Sequence, residues 1–241
     1  MTQVDKSTNA FDRYAVYYAP EKGSILAELG NHWLGRDPEL NKSLSPPYSK
    51  NLSVDLFEKY TRTPKRYGFH GTLKAPFRLH DAANFVDLDF ALEKLAGTLT
   101  KVRTEALRLK EFSNFFALVP SGACEAINGI SARCVEELDV FQRPLESYEL
   151  ERRRLAGLTP AQDANLVKWG YPYVFDEFRF HLTLTGNVPE GLRTDFREHI
   201  VGWMAPVFSN PFEVTEICLF GDPGGGLPFR LLKRYALLGS G

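Results

Sequence analysis

The chain has 241 residues, enough for one domain with a substantial core. Hydrophobic residues make up 44% and charged residues 24%, a composition typical of soluble globular proteins. The 29 basic and 30 acidic residues nearly balance, so the chain has no overall field to hold a long nucleic acid; a local basic pocket for a small anion is compatible with this balance.

The lack of a recognisable targeting signal and the pattern of cysteines predict a cytoplasmic protein. The polar start MTQVDKSTNAFDRY has no apolar core of the kind that a secretory signal needs, and no apolar run has the length of a membrane span. The cysteines are three in number and no two are spaced as C-x-x-C, which favours reduced, buried thiols. No membrane contact is expected, and the oligomeric state is left open.

Predicted elements in the first half alternate between short strands and amphipathic helices. Residues 37–64 contain four prolines and predict irregular structure with at most one short helix near 53–60, as in a lid or a binding segment. In chain order, the periodicity predicts a strand at 13–20, a helix at 24–37, a strand at 66–79 and a helix at 82–99.

The second half repeats this alternation, and the whole is predicted to be one α+β domain over residues 1–241. Each half contains a strand that is followed directly by an amphipathic helix, which favours two related halves over an alternating parallel sheet. The predicted elements are strands near 103–111 and 114–119 with a tight turn at Phe112–Asn114, a helix at 122–145, two short helices within 147–170, a strand at 178–186, a helix at 191–208 and a closing hairpin of 212–220 with 228–238.

One pentapeptide pattern, F-H-x-T-L, occurs twice, as FHGTL at 69–73 and as FHLTL at 180–184. Side chains two positions apart on a strand point to the same face, so the His and Thr of each copy project together. Each strand is therefore predicted to bury its Phe and Leu side chains and to present an imidazole and a hydroxyl on the other face. The four presented residues are His70, Thr72, His181 and Thr183.

An imidazole beside a hydroxyl can bind and process a phosphate. The hydroxyl donates to a phosphoryl oxygen, and the imidazole transfers a proton near neutral pH. Two facing copies supply a base for the attacking group and an acid for the leaving oxygen, without a metal or another cofactor. A single H-x-T is more often a structural histidine; two copies among five histidines, with matching flanks, favour a shared site.

The paired motifs resemble those of the two-histidine (2H) phosphoesterase superfamily. The strings RYAVYYAP, HWLGRD, YGFHGTLKAPF and FRFHLTLTG are similar to a branch of uncharacterised proteins encoded in phosphonate-utilisation operons. The resemblance implies a bilobal fold with two antiparallel-rich sheets, flanking helices, a pseudo-twofold axis and a site in the cleft between the lobes. It also implies that His70 and His181 are catalytic and that Thr72 and Thr183 bind phosphate.

Two basic residues neighbour the motifs. By alternation, Lys74 is predicted to share the face of His70, and Arg179 that of His181, where either could bind substrate by neutralising charge on phosphoryl oxygens. A solvated edge charge is the alternative for each. The arginine run at 152–154 is read as a solvated helix face, and GDPGGGLP at 221–228 as a hairpin loop, since it lacks the G-K-[ST] ending of a phosphate-binding loop.

The resemblance predicts a metal-independent cyclic phosphodiesterase that acts on a small phosphorylated sugar. Its operon branch points to 5-phosphoribosyl 1,2-cyclic phosphate as the substrate. A nucleoside or RNA-end 2′,3′-cyclic phosphodiesterase is the alternative enzyme, and a protein that binds a phosphorylated ligand without turning it over is the alternative of another class. Which histidine is base and which is acid stays open at this stage.

Overall fold

Strands and helices alternate along the computed structural model, which describes residues 11–239; the polar start over residues 1–10 lies outside the described residues. The strands are β1 (Arg13–Tyr18), β2 (Arg36–Asp37), β3 (Lys42–Ser43), β4 (Gly71–Phe77), β5 (Val102–Glu111), β6 (Phe116–Pro120), β7 (Leu182–Thr183), β8 (Pro211–Val214), β9 (Glu216–Asp222) and β10 (Arg230–Ala236). The α-helices are α1 (Ile25–Leu34), α2 (Val54–Tyr67), α3 (Phe85–Thr98), α4 (Glu125–Glu137), α5 (Ser147–Arg154), α6 (Pro160–Trp169) and α7 (Glu190–Met204).

Eight strands form one sheet in the order β10-β9-β1-β4-β7-β6-β5-β8, and every pair in it is antiparallel. The predicted α+β class with antiparallel-rich sheets is confirmed. The two predicted sheets are continuous with each other, because β4 of one half pairs with β7 of the other. β2 and β3 form a separate small ribbon.

The chain order repeats across the β4–β7 junction. The first half runs β1, α1, β4, α3, β5, and the second runs β6, α4, β7, α7 and then β8 and β9. After α3 the chain leaves for the other half, where β5 pairs with β6; after α7 it returns, so that β9 pairs with β1. The half with β1 and β4 therefore receives β9 and β10 from the second part of the chain, and the other half receives β5 from the first part; β4 and β7 occupy the central positions.

The core lies against this sheet, and helix caps define where the covering helices begin. Ser24 accepts a hydrogen bond from the backbone of α1, and the helix ends at Gly35 in the left-handed region. From α1 the buried indole of Trp33 donates to the carbonyl of Leu184, 2.9 Å away, just after β7. This bond ties the first helix to the strand that carries the second motif. No helix of the described residues is long and apolar enough to cross a membrane.

The prediction of irregular structure with at most one short helix at 37–64 is wrong for the end of this segment, because α2 is a helix of 14 residues that starts at Val54. Ser53 caps its start, and its inner face buries Phe57. Pro64 lacks the N–H that would donate to the carbonyl of Tyr60, yet the helix continues past it. The Tyr60 carbonyl instead accepts from the backbone N–H of Gly186, so a tertiary contact replaces the missing helical bond.

Three other predicted boundaries are wrong. The strand expected at 178–186 is only β7, and the helix expected at 122–145 ends at Glu137. The strand expected at 212–220 divides near Thr215 into β8 and β9, which lie in opposite halves of the sheet. α4 packs beside β4, where Ser131 Oγ donates to the carbonyl of Leu73 at 2.7 Å.

Candidate active site

The two H-x-T motifs meet at the β4–β7 junction, where Gly71 pairs with Leu182. In an antiparallel ladder the residues on either side of a pair are opposite each other in reverse order. This register sets His70 opposite Thr183, and Thr72 opposite His181. All four lie on the face opposite to the Leu182 side chain, so the two motifs form one polar cluster.

Both imidazoles are held in the same way. His70 Nδ1 lies 2.8 Å from the carbonyl of Gly68, and His181 Nδ1 lies 2.7 Å from the carbonyl of Arg179. Because a carbonyl only accepts, each Nδ1 carries the hydrogen and each Nε2 is left with its lone pair. His70 Nε2 is 3.4 Å from the hydroxyl oxygen of Thr72. Both rings therefore keep Nε2 as the proton-accepting nitrogen, and that of His70 lies beside a threonine hydroxyl.

Gly68 is the residue that turns its carbonyl toward His70. Its backbone has φ +82°, a region that side chains rarely adopt, and a Cβ there would lie 2.8 Å from Cβ of Pro38. Both the conformation and the lack of space require glycine at this position. The close approach of Pro38 also packs the segment after α1 against the first motif.

Aromatic rings cover His70 on its inner side. The Tyr17 ring stacks on the imidazole with centroids 3.9 Å apart, and Tyr67 and Phe220 lie farther out at 6.0 and 6.3 Å. The pKa of His70 is lowered to about 4, chiefly by burial; the Gly68 hydrogen bond opposes this shift, and the nearby His181 adds to it. At neutral pH His70 is uncharged and able to accept a proton.

His181 lies beside the turn between β5 and β6. The rings of Phe112 and Phe115 stack on each other at 4.8 Å, and their centroids lie 5.5 and 5.9 Å from the imidazole. Burial lowers the pKa of His181, with the Arg179 carbonyl acting in the opposite direction. The predicted turn at Phe112–Asn114 thus borders the second histidine.

Lys74 lies deep beside α4. Its Nζ donates to the carbonyl of Val135 at 3.3 Å and lies 5.0 Å above the Phe77 ring. A register shift between β1 and β4 lies between Thr72 and Lys74, so simple alternation along β4 does not by itself fix the face of Lys74. Burial lowers the pKa of Lys74 to about 8. Its role in substrate binding stays a prediction.

Arg179 contributes its backbone to the site. Its carbonyl accepts from His181, while its exposed guanidinium donates to the carbonyls of Asp176 and Phe178, both at 2.6 Å. Binding of substrate by the guanidinium, which the sequence predicts, requires it to leave these two carbonyls. That role too stays a prediction.

A basic cavity of about 220 Å³, which we call the arginine cavity, opens beside β4 and was not predicted from the sequence. Its lining includes Arg13, Arg66, Lys74, Arg153 and Tyr171. These residues come from β1, α2, β4, α5 and the segment after α6. The only signal in the sequence was the arginine run at 152–154, of which Arg153 turns inward and Arg154 stays exposed.

The remaining candidate groups have structural roles. Cys134 and Cys218 are fully buried free thiols, and burial raises the pKa of each to about 12. Gly224, Gly225 and Gly226 have positive φ in the loop that joins β9 and β10, so the prediction of a hairpin loop at 221–228 is confirmed. Within residues 11–239, no group of three or more His, Cys, Asp or Glu side chains is arranged to hold a metal ion.

Two curated relatives match nearly the whole of this chain and are longer than it. A protein named ribose 1,5-bisphosphate phosphokinase PhnN from Janthinobacterium sp. (strain Marseille) is 32% identical over 98% of this chain and 53% of its own length. One of the same name from Laribacter hongkongensis (strain HLHK9) is 32% identical over 95% of this chain and 53% of its own. The chain thus spans about half the length of these relatives.

Two crystal structures are similar over most of the chain. The protein TT0787 of Thermus thermophilus has a TM-score of 0.46 and 14% identity, covering 95% of this chain and all of the other. E. coli LigT complexed with 3′-AMP has a TM-score of 0.43 and 16% identity, covering 94% of this chain and 98% of the other. A family model described as a protein of unknown function (DUF1045) matches residues 72–230. Because that match covers more than half of the chain, the chain belongs to the family DUF1045.

Proposed function

We propose that this chain is a metal-independent cyclic phosphodiesterase that opens the ring of 5-phosphoribosyl 1,2-cyclic phosphate. The observation that carries the proposal is the cluster at the β4–β7 junction, in which two imidazoles, each held through Nδ1 by a backbone carbonyl, lie among two threonines. General acid and general base catalysis across one phosphate needs two such groups. A protein that only binds a phosphate has no need of both.

The reaction would be a hydrolysis with both protons accounted for. The oxygen of water bonds to phosphorus while the bond from phosphorus to the sugar 2-oxygen breaks. One imidazole takes the proton from the attacking water, and the other gives a proton to the departing 2-oxygen. Thr72 and Thr183 would donate to the non-bridging oxygens, which gain charge as the attack proceeds. The product is ribose 1,5-bisphosphate.

The two environments favour His70 as the base and His181 as the acid. Burial lowers the pKa of His70 to about 4, so this ring is neutral when the reaction starts. His181 lies in a less enclosed place, and its pKa is lowered from 6.5 without a shift of comparable size. A bound phosphate anion raises the pKa of both rings, and the ring that was easier to protonate gains the proton first.

The names of the curated relatives support this substrate. Those proteins are named for a kinase that acts on ribose 1,5-bisphosphate, which is the product of the proposed hydrolysis. This chain spans about half of their length, so a hydrolase half joined to a kinase half would pass product directly to the next reaction. The 241 residues themselves contain no G-x-x-x-x-G-K-[ST] motif, the phosphate-binding loop of many kinases, so we do not assign the kinase activity to this chain.

The charge balance favours a small substrate over RNA. The formal net charge of −1 gives no extended basic surface, whereas proteins that follow a polynucleotide use many Lys and Arg contacts to the phosphates. The 2′,3′-cyclic phosphodiesterase alternative shares the same two-histidine chemistry. The two activities are therefore separated by comparing turnover of the two substrates, and not by the geometry of the histidines.

A phosphorus NMR assay tests the proposal. The purified chain is incubated with 5-phosphoribosyl 1,2-cyclic phosphate and, separately, with each 2′,3′-cyclic nucleotide, and kcat/KM is compared. We expect the sugar phosphate to be opened faster, and we expect His70→Ala and His181→Ala each to be roughly a hundredfold or more slower in the same assay. Faster turnover of a cyclic nucleotide would support the alternative enzyme. Tight binding without turnover of any of them would instead indicate a non-catalytic binding protein.

A further inference from the structure

The arginine cavity concentrates positive charge in a chain that is nearly neutral. Its lining contains seven Arg or Lys side chains and three Asp or Glu side chains, whereas the whole chain has a net charge of −1. Such an excess in a concave site attracts anions, and most strongly those that carry two charges. A phosphomonoester is the common biological dianion of a size that fits about 220 Å³.

One wall of the cavity is rigid. The carboxylate of Asp222 is fully buried and binds both Arg13 and Arg66, with Arg13 Nη2 at 2.5 Å and Arg66 Nη2 at 3.1 Å. Two guanidinium groups thus share one carboxylate and leave a positive charge in excess. The shared carboxylate fixes both side chains before any ligand arrives, which reduces the entropic cost of binding.

Another wall carries cations without counter-ions. Among the described residues, the side chains of Arg152 and Arg153 make no ion pair or hydrogen bond, and the neighbouring Arg154 is paired with Asp163. Arg153 is half-buried, and burial lowers its pKa. A partly buried cation without a partner is costly, and a bound anion relieves that cost. Burial raises the pKa of Tyr171 to about 12, so its phenol stays a hydrogen-bond donor at neutral pH.

A short chain of contacts connects the cavity with the histidines. Tyr17 stacks on His70 at 3.9 Å, and its ring centroid lies 6.3 Å from that of Phe229. The guanidinium carbons of Arg13 and Arg66 lie 5.8 and 5.4 Å from the Phe229 centroid. On β4, Lys74 of the cavity follows Thr72 of the site by two residues, a distance of about 7 Å along a strand.

From these relationships we infer that the arginine cavity is a subsite for the phosphomonoester group of a substrate whose cyclic phosphodiester lies between His70 and His181. The identity of the cyclic phosphodiester rests on the proposed function. The phosphomonoester is assigned to the cavity residues Arg13, Arg66, Arg152, Arg153 and Tyr171. The subsite selects sugars that carry a terminal phosphate and excludes cyclic phosphates that lack one. It also orients the sugar ring with its cyclic phosphate toward the junction.

Binding of ribose 5-phosphate, measured by titration calorimetry, tests the subsite without any need for catalysis. We expect Arg153→Gln to weaken binding about tenfold or more, because one charge-assisted hydrogen bond is lost. Arg154→Gln is the matched control on the same helix and should bind as the wild type does. Arg152→Gln removes an exposed side chain of the cavity and should weaken binding even if Arg153→Gln proves unstable.

Kinetics with two substrates complete the test. Wild-type kcat/KM should be higher for 5-phosphoribosyl 1,2-cyclic phosphate than for ribose 1,2-cyclic phosphate, and Arg153→Gln should reduce that preference about tenfold or more. If neither compound is hydrolysed but ribose 5-phosphate binds in an Arg153-dependent manner, the proposed function fails and the subsite stands. No binding of ribose 5-phosphate to the wild type, or equal losses in Arg153→Gln and Arg154→Gln, would overturn the subsite.

Discussion

The imidazole of His70 stacks on the phenol ring of Tyr17, with the two ring centroids 3.9 Å apart and the planes inclined by 28°. The stack covers one side of the imidazole, and the Gly68 carbonyl holds its Nδ1. Both contacts orient the ring, but burial disfavours its charged form, and the pKa of His70 falls to about 4. Burial of the imidazole is therefore expected to control the pH range in which the site works.

The first prediction concerns that pH range. The base, His70, must be neutral, and it is neutral above its pKa of about 4. The acid, His181, must be protonated, and it loses its proton above its pKa, which is lowered from 6.5. A plot of kcat/KM against pH should be a bell with its maximum on the acid side of 6.5, because this ratio reports the free enzyme. The kcat profile should lie at higher pH, because bound phosphate raises both pKa values. A kcat/KM that rises steadily into the alkaline range would contradict the assignment.

The second prediction concerns the loss of each imidazole. His70→Ala and His181→Ala should each lower kcat roughly a hundredfold or more, the usual scale for a lost general acid or base. The double variant should be little worse than the poorer single variant, because groups that act as one unit are far from additive. His32→Ala is the control, since His32 Nδ1 lies 2.9 Å from the Ser45 carbonyl, outside the site. Multiplicative losses in the double variant would argue against concerted action of the two rings.

The third prediction concerns the threonines. Thr72→Val and Thr183→Val keep the shape of the side chain and remove the hydroxyl, so each should lose about 1.5–3 kcal/mol of transition-state stabilisation, one hydrogen bond to a charged group. The loss should appear in kcat/KM from steady-state kinetics, and it should be smaller than the loss for either histidine. Thr72→Ser and Thr183→Ser retain the hydroxyl and should keep most of the activity. If the serine variants are as impaired as the valine variants, the hydroxyls are not the groups that matter.

The fourth prediction concerns metals. Two imidazoles transfer the protons in the proposed reaction, so dialysis against EDTA should leave kcat and KM unchanged. The measurement compares the dialysed protein with a sample to which zinc or manganese is added back. Activity that disappears with the chelator and returns with the metal would show that His70 and His181 are metal ligands. The acid–base account would then be wrong.

The fifth prediction concerns the junction between the halves. A Cβ on Gly71 would lie 2.6 Å from the ring of Phe180, so Gly71→Ala should lower the free energy of unfolding by about 1–3 kcal/mol through overpacking. The measurement is urea denaturation followed by circular dichroism. Gly129→Ala in α4 is the matched control: nothing lies within 4 Å of its Cβ, and it should gain about 0.5–1 kcal/mol. A Gly71→Ala variant as stable as the wild type would mean that the junction is less tightly packed.

The sequence by itself predicted the class of the fold and the face on which the motif residues lie. Alternation along a strand is a local property, so FHGTL and FHLTL each revealed a buried side and a presented side without knowledge of the partner strand. Turn chemistry is also local, and for that reason the hairpin loop with Gly224–Gly226 was predicted correctly. Local patterns were least informative where a tertiary contact replaced a local one, as in α2, where Gly186 satisfies the Tyr60 carbonyl that Pro64 leaves free.

Only the tertiary structure decided which elements meet. The pairing of Gly71 with Leu182, the exchange of β5 and β9 between the halves and the assembly of the arginine cavity join residues far apart in the chain. The stacking of Tyr17 on His70 is of the same kind. Such contacts depend on how side chains from several elements fill one volume, and the packing of a core is not encoded in the periodicity of any single segment.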